Sequence, residues 1–399
     1  MDLLSNLALG FQTAVSPATL LYCFIGVFVG TLIGVLPGIG ALSTISLLLP
    51  LTYHLDPTAA VVLLAGVYYG AQYGGSTASI LLNLPGTPSS AVACPAGAIP
   101  KDGPSAGVAL FMPTAASFIG ATIGVLLMTL FTPAIADLGL KFGPYEYFAM
   151  MLLGLIAAST LASGSPVKGM AMVVLGLLLG MIGTDVQTGQ QRFDFGIPEL
   201  TDGLNLVALA MGVFGVSEVV NSINRVKRAG EGNRISMRAM WPTRKDWREA
   251  ALPMLRGSGI GSFFGALPGT GAGIASFMAY ATEKRISRTP ERFGKGAIEG
   301  LASSEAANNA AAQTAFVPTM SLGIPGDAVM ALMIGALIIH GIQPGPMMIS
   351  EQPAMFWGLI ASFVIGNLML VILNIPLIGV WVAILRIPYR VLYPAILVF

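Results

Sequence analysis

Charged residues are scarce in this sequence. Lys, Arg, Asp and Glu make up 10% of its 399 residues, whereas a soluble domain carries about 25%. Hydrophobic residues account for 55%, so long segments prefer lipid to water. The formal net charge of +1 gives no reason to expect a nucleic-acid partner. The composition therefore predicts an all-α polytopic membrane protein in a lipid bilayer.

Cysteine and histidine are also rare, with two of each. Cys23 and Cys94 both lie in apolar context, so we expect neither a disulfide framework nor a Cys/His zinc site. The chain has no GxSxG nucleophile motif. The stretch Gly269–Gly273 follows no strand and has no lysine at the Walker position. These absences argue against an enzyme and against ATP-driven transport, and no organic cofactor is expected.

Two short stretches rich in glycine interrupt long apolar runs. Gly34–Ala41 reads GVLPGIGA, and Gly265–Ala272, with the sequence GALPGTGA, follows it at an offset of 231 positions. Proline lacks a backbone donor and glycine destabilises a helix, so both runs should break here. Because lipid cannot satisfy the freed backbone groups, the breaks are expected to face protein, water or a ligand.

A second pair of breaks follows each of the first. Residues 83–90 (NLPGTPSS) and 321–327 (SLGIPGD) are too rich in turn residues to continue a helix. Leu82–Gly86 also resembles Leu322–Gly326 at an offset of 240 positions. The order of hairpin, broken span and long span thus recurs. We predict an inverted-repeat transporter with re-entrant hairpins and discontinuous helices.

The basic residues suggest how the chain is divided. We predict a first transmembrane repeat at 1–221, a basic cytoplasmic linker at 222–256 and a second, inverted repeat at 257–399. The second repeat ends inside an apolar run that matches the first of three further spans in the first repeat. We therefore expect it to be incomplete at its C-terminus.

Orientation follows from the tendency of Lys and Arg to stay on the cytoplasmic side in short loops. The run 257–282 has basic loops on both flanks, so it should enter and leave the membrane on the same side. The first broken run has no Lys or Arg on either flank, and its hairpin should open outward. This arrangement leaves only Lys141 and Arg192 on the outer side.

The four breaks supply the predicted substrate site. Half-helix N-termini, glycine amides and hydroxyl groups at such breaks can bind an anion. The candidate residues are Pro37, Gly38, Gly40, Pro85, Gly86, Thr87, Ser89, Ser90, Pro268, Gly269, Thr270, Gly271, Pro325, Gly326 and Asp327. The alternatives are ordinary helix kinks for the Pro-Gly pairs and N-caps for Ser, Thr and Asp.

Four further residues are candidates for binding a coupling cation: Asn83, Glu305, Asn309 and Ser321. A carboxylate inside a membrane segment points to function, and Glu305 and Asn309 share a helix face at i and i+4. Their oxygens, with carbonyl groups freed at the breaks, suit a hard cation such as Na⁺. Proton coupling through Glu305 stays open, as does a role in helix contact.

Taken together, these motifs resemble the large membrane subunit of tripartite tricarboxylate transporters. The resemblance rests on Gly34–Ala41, Tyr73–Gly86, Gly265–Ala272 and Ser321–Asp327 and extends over essentially the whole chain. It implies a permease of the bacterial inner membrane that works with a small membrane subunit and a periplasmic binding protein. It also implies uptake of carboxylates such as citrate, coupled to an ion gradient that is usually sodium.

Two other kinds of function stay open. A non-transporting scaffold or assembly subunit is one, although it would not need free backbone groups in the bilayer. A channel is the other, although the sequence shows no filter motif. Binding of a carboxylate by the purified protein would favour transport over a scaffold.

Overall fold

Proline marks the start of six helices in the computed structural model of the chain. Proline suits the first turn of a helix because the missing N–H group would have no partner there. The structure describes residues 3–36, 40–82, 85–96, 104–160, 165–184, 190–201, 203–205, 208, 209, 211–217, 220 and 240–384. This part is helical apart from a two-stranded ribbon, as the apolar runs predict.

The helices of the first half are α1 (Leu3–Ala14), α2 (Pro17–Val35), α3 (Gly40–Thr52), α4 (Pro57–Leu82), α5 (Ala93–Ala96), α6 (Pro104–Gly139), α7 (Pro144–Thr160) and α8 (Pro166–Gly180). A 3₁₀ turn, Ser89–Val92, precedes α5 directly. Strands β1 (Gly183–Thr184) and β2 (Gln191–Arg192) pair antiparallel. A π-helical turn, Met211–Val216, follows the strands along the chain.

The helices of the second half are α9 (Arg244–Gly265), α10 (Gly271–Ile286), α11 (Ile298–Thr314), α12 (Phe316–Leu322), α13 (Ala328–Ile339), α14 (Met348–Glu351), α15 (Pro353–Asn374) and α16 (Ile378–Ile384). Three helical segments in the described part are long and apolar enough to cross a membrane, namely Pro17–Val35, Gly107–Gly139 and Pro353–Asn374.

Glycine allows α2 and α4 to pack backbone against backbone. A Cβ atom at Gly26 or Gly30 would overlap a carbonyl group of α4, at Leu63 and Val67 respectively. Small residues at such a spacing let membrane helices approach closely. Helix α2, the first arm of the first predicted hairpin, is thereby held against α4.

The same packing recurs between α9 and α11. A Cβ at Gly257 or Gly261 would overlap the carbonyl group of Ser303 or Ala307. These glycines follow Gly26 and Gly30 by 231 positions, and their partners follow Leu63 and Val67 by 240 positions. The offsets found between the breaks thus also relate the helix contacts of the two halves.

The second hairpin, α9 and α10, begins earlier than the sequence suggested. Helix α9 starts at Arg244, inside the segment predicted as a linker, and residues 222–239 of that segment lie outside the described part. Thr243 and Asp246 form a capping box at its start. Arg256 of α9 makes a two-point ion pair with Glu283 of α10, at 2.6 and 2.8 Å, so the arms run antiparallel.

Both halves share one apolar core. The largest cluster of buried side chains includes Tyr68 and Tyr69 of α4, Phe316 of α12, and Trp357 and Phe363 of α15. Tyr69 and Phe316 both make edge-on ring contacts with Phe363. The core therefore fixes α4 of the first half against α12 and α15 of the second, next to the breaks.

Candidate functional site

We call residues 83–90 the first break and residues 321–327 the second break. The first break packs against the C-terminal end of α2. Gly86 is buried, and a Cβ atom there would overlap the carbonyl oxygen of Gly34 and the Cα atom of Gly75. Gly326 of the second break meets Ala315, which lies 240 positions after Gly75. A side chain at Gly86 would therefore overlap backbone atoms, and one at Gly326 would be tightly confined.

Three hydroxyl groups of the first break are buried, those of Thr87, Ser89 and Ser90. The Ser89 hydroxyl donates to Oε1 of Gln72 at 2.6 Å, and the Thr87 hydroxyl lies 3.0 Å from that of Ser89. The Ser79 hydroxyl donates to Oγ of Ser90 at 3.0 Å. The polar face of α4 thus supplies hydrogen-bond partners for the first break. This explains how the hydroxyl groups are tolerated in the interior.

Glu305 joins the same polar region from α11. Its side chain is buried, and its Oε2 accepts a hydrogen bond of 2.5 Å from the Ser76 hydroxyl. Ser76 lies one helical turn after Gln72 on α4 and shares its face. The structure therefore brings Glu305 close to the first break, although the two are far apart in sequence.

Asn309 also lies beside Glu305, as the i, i+4 spacing predicts. Its Nδ2 donates to the Ser117 hydroxyl at 2.7 Å and to the backbone oxygen of Glu305 at 3.1 Å. Within the described part of the chain, its Oδ1 atom and both amide atoms of Asn308 and Gln313 are buried without a hydrogen-bond partner of good geometry. Unpaired buried amides are costly, so each requires an explanation.

The second break ends at Asp327, which caps α13 and contacts the first half. Its Oδ1 accepts from the Met330 N–H at 2.9 Å, the usual contact of an N-cap. Its Oδ2 accepts from the Tyr68 hydroxyl at 2.5 Å. Asp327 is therefore an N-cap, as one alternative from the sequence predicts. Its second carboxylate oxygen makes a contact between the two halves.

The turn of the second hairpin is joined to the second break. The Gly269 N–H donates to the Gly326 carbonyl oxygen at 3.0 Å, beside Pro268 and Pro325. Gly271 has a φ of +64°, and a Cβ atom there would lie 3.2 Å from that of Asp327. A left-handed backbone at this close approach requires glycine. Predicted residues of two separate breaks therefore meet.

A cavity of about 840 Å³ opens beside the second break. Leu322, Ile324 and Pro325 line one side, and Gln343 and Met347 of the following loop line the other. Part of the second break therefore borders this cavity.

Comparison with known families identifies the class of protein. Residues 20–399 match the sequence model described as the "Tripartite tricarboxylate transporter TctA family". The chain belongs to this TctA family. The family is one of transporter subunits, which agrees with breaks that gather polar groups in an apolar interior.

Two Agrobacterium vitis proteins are similar to this TctA-family chain. One is described as "Uncharacterized 52.8 kDa protein in TAR-I ttuC' 3'region" and is 52% identical over 399 residues, covering 100% of this chain and 79% of the relative. The other, "Uncharacterized protein in TAR-II ttuC' 3'region", is 61% identical over 139 residues, covering 35% of this chain and 57% of the relative. No solved structure gives a significant match.

Some predicted site residues of the TctA-family chain take other places. Ser321 lies inside α12, and its hydroxyl donates to the Val317 carbonyl oxygen at 2.6 Å. It is about four helical turns beyond Glu305 along the chain, and no contact links the two in the described part. The Thr270 hydroxyl donates within its own turn, to the carbonyl oxygens of Phe264 and Leu267.

The remaining predictions concern the first hairpin turn and the start of the first break. Pro37, Gly38 and Asn83 lie outside the described residues. Gly40 has a φ of +65° and open space around the position of a Cβ atom, and Pro85 is exposed.

Sequence reasoning did not select Gln72, Ser76, Tyr68 or Asn308 as site residues. The one available signal was the presence of polar residues at helical spacing within apolar or small-residue segments.

Proposed function

We propose that this TctA-family subunit is the permease through which a tricarboxylate or related organic anion crosses the bacterial inner membrane. Support comes from family membership and from the four breaks. Buried hydroxyls of Thr87, Ser89 and Ser90 can donate to a carboxylate, and backbone N–H groups at the breaks can do the same. The sequence of the breaks provides this chemistry without a charged donor.

The lack of a basic side chain in the four breaks is the observation that supports the proposal of ion coupling. None of the four breaks contains Lys, Arg or His, whereas Asp327 belongs to the second break and Glu305 lies near the first. An anion with several charges would be repelled by these carboxylates in a medium of low dielectric constant. A cation entering with the substrate would offset that repulsion.

Sodium fits the oxygen atoms available near Glu305. The carboxylate, the Ser76 hydroxyl and the unpaired Oδ1 of Asn309 are the kind of ligands that hard cations prefer. A proton carried by Glu305 is the alternative, because a buried carboxylate can serve as a proton carrier in a membrane protein. Removal of sodium distinguishes the two.

The other parts of the system follow from the family. A periplasmic binding protein would deliver the anion, and a small membrane subunit would complete the complex. In this proposal the two hairpins are re-entrant and the halves have opposite orientations in the membrane. The matching offsets of 231 and 240 positions in the two halves support such a repeat.

Uptake of radiolabelled citrate tests the proposal. The chain is expressed with the other two components of its own system, and uptake is compared in sodium medium and in choline medium at constant pH. We expect accumulation that depends on sodium. Uptake that persists unchanged in choline medium would mean that the coupling ion is a proton and not sodium. Absence of both citrate binding and citrate uptake would favour a scaffold.

A further inference from the structure

Asn308 has the most unusual environment of the polar residues near Glu305. It is fully buried, and neither Oδ1 nor Nδ2 makes a hydrogen bond of good geometry with the residues that the structure describes. An amide in an apolar interior without partners loses the hydrogen bonds that it makes with water. A buried amide of this kind is a suitable place for a ligand to bind, because a ligand would supply the hydrogen bonds that the surrounding side chains do not.

The direction of the Asn308 side chain follows from its helix. Leu301, Glu305 and Asn308 lie at i, i+4 and i+7 of α11 and so share one face. Leu301 packs on Ala93, just after the first break, and Glu305 binds Ser76. The Asn308 side chain lies next to the Glu305 carboxylate. The amide therefore faces the region between Glu305 and the first break.

The internal repeat supports the same direction. The counterpart of Asn308, 240 positions earlier, is Tyr68, whose hydroxyl holds Asp327 of the second break. The counterpart of Asp327 is Thr87 of the first break, and both residues accept from the backbone N–H three positions later. At the second break, Tyr68 of one half thus bonds to Asp327 of the other. At the corresponding place near the first break, the described part of the structure shows no hydrogen bond of good geometry for the Asn308 amide.

We infer that the Asn308 amide binds both the coupling cation and a carboxylate of the substrate, an inference that rests on the proposed function. Oδ1 would contribute to a cation that Glu305 also holds. Nδ2 would donate to a carboxylate that Thr87 and Ser89 also contact. One side chain oriented by both ligands couples their affinities, because each ligand fixes the amide for the other.

Gln313 does not fit this role, although its amide is also unpaired. Its Cβ atom lies 3.0 Å from the position that a Cβ atom at Gly124 of α6 would take. Gln313 therefore points toward α6 and away from the first break.

Binding measurements on the purified full chain test the inference, with Na⁺ and citrate as probes and choline chloride to hold ionic strength constant. For Asn308→Leu we expect the affinities for Na⁺ and for citrate each to fall about tenfold, because each ligand loses one contact with the amide. For Asn308→Asp, which keeps an oxygen but loses the donor, we expect Na⁺ binding to be kept and citrate binding to fall at least about tenfold.

Ser304→Ala is the matched control, because the Ser304 hydroxyl is buried on the same helix and donates to the Leu301 carbonyl oxygen. We expect both affinities to be unchanged in it. Wild-type affinities in both Asn308 variants would overturn the inference while leaving the proposed function intact. A wild-type protein in which Na⁺ has no effect on citrate binding would instead overturn the proposed sodium coupling, and this inference with it.

Discussion

The hydroxyl of Tyr68 on α4 donates a hydrogen bond of 2.5 Å to Oδ2 of Asp327, the last residue of the second break. This bond joins a helix of the first half to the break of the second. The Asp327 side chain also accepts a hydrogen bond from the Met330 N–H within its own half. The bond therefore fixes the position of the second break relative to α4.

We expect Tyr68→Phe to lower citrate uptake about tenfold, because a charge-assisted hydrogen bond contributes about 1.5–3 kcal/mol. Tyr69→Phe is the control, since it removes an adjacent buried hydroxyl that contacts Cys23 and not a break. Uptake should stay near the wild-type level in this variant. Equal effects of the two substitutions would show that general packing, and not the contact with Asp327, is responsible.

Much of this arrangement was predictable where local chemistry decides the structure. Proline and glycine at residues 266–271 and in the second break indicated interruptions, and the interruptions are present. The spacing of Glu305 and Asn309 also predicted their contact. The capping box of Thr243 and Asp246, which starts α9, was readable in the sequence and was missed.

Contacts between halves were not predictable in the same way. Tyr68 meets Asp327, and Ser76 meets Glu305, because of how α4 packs against the second half. That packing depends on glycine contacts along whole helices, which periodicity in a single segment does not specify. Ser321 was placed in the break because glycine follows it, yet the helix continues to Leu322 and ends at Gly323, whose φ is +70°.

The turn of the second hairpin offers a paired test of its shape. Gly271 has a left-handed backbone beside Asp327, whereas Gly273 of the same helix has open space around the position of a Cβ atom. Gly271→Ala imposes a strained backbone worth about 1–2 kcal/mol and should lower citrate uptake about tenfold. Gly273→Ala should leave uptake unchanged. Normal uptake in both variants would count against a role for this turn.

The glycine contact between α9 and α11 predicts a difference in stability. A Cβ at Gly261 would overlap the backbone of Ala307, whereas Gly259 of the same helix meets open space. Overpacking costs about 1–3 kcal/mol, so Gly261→Ala should lower the Tm of the purified protein. Alanine stabilises a helix by up to about 1 kcal/mol relative to glycine, so Gly259→Ala should leave the Tm unchanged or raise it. The reverse order would contradict the packing described.

Thiol labelling in intact cells tests the orientation of the second hairpin. Cysteines are introduced at Ser236 and Ser287, in a background in which Cys23 and Cys94 are replaced by serine. We expect both positions to resist an impermeant reagent until the cells are permeabilised, because both flanks should be cytoplasmic. Arg192→Cys, predicted on the outer side, is the positive control. Labelling of only one flank would mean that residues 257–282 cross the membrane.

The central claim is that a cation held by Glu305 allows the breaks to accept an anion without a basic side chain. The most direct measurement is the dependence of citrate uptake on sodium concentration in the wild type and in Glu305→Gln, with Glu299→Gln as a control at the start of the same helix. We predict sodium-dependent uptake in the wild type and the control, and uptake at background for Glu305→Gln at every sodium concentration. Wild-type sodium activation in Glu305→Gln would contradict the account.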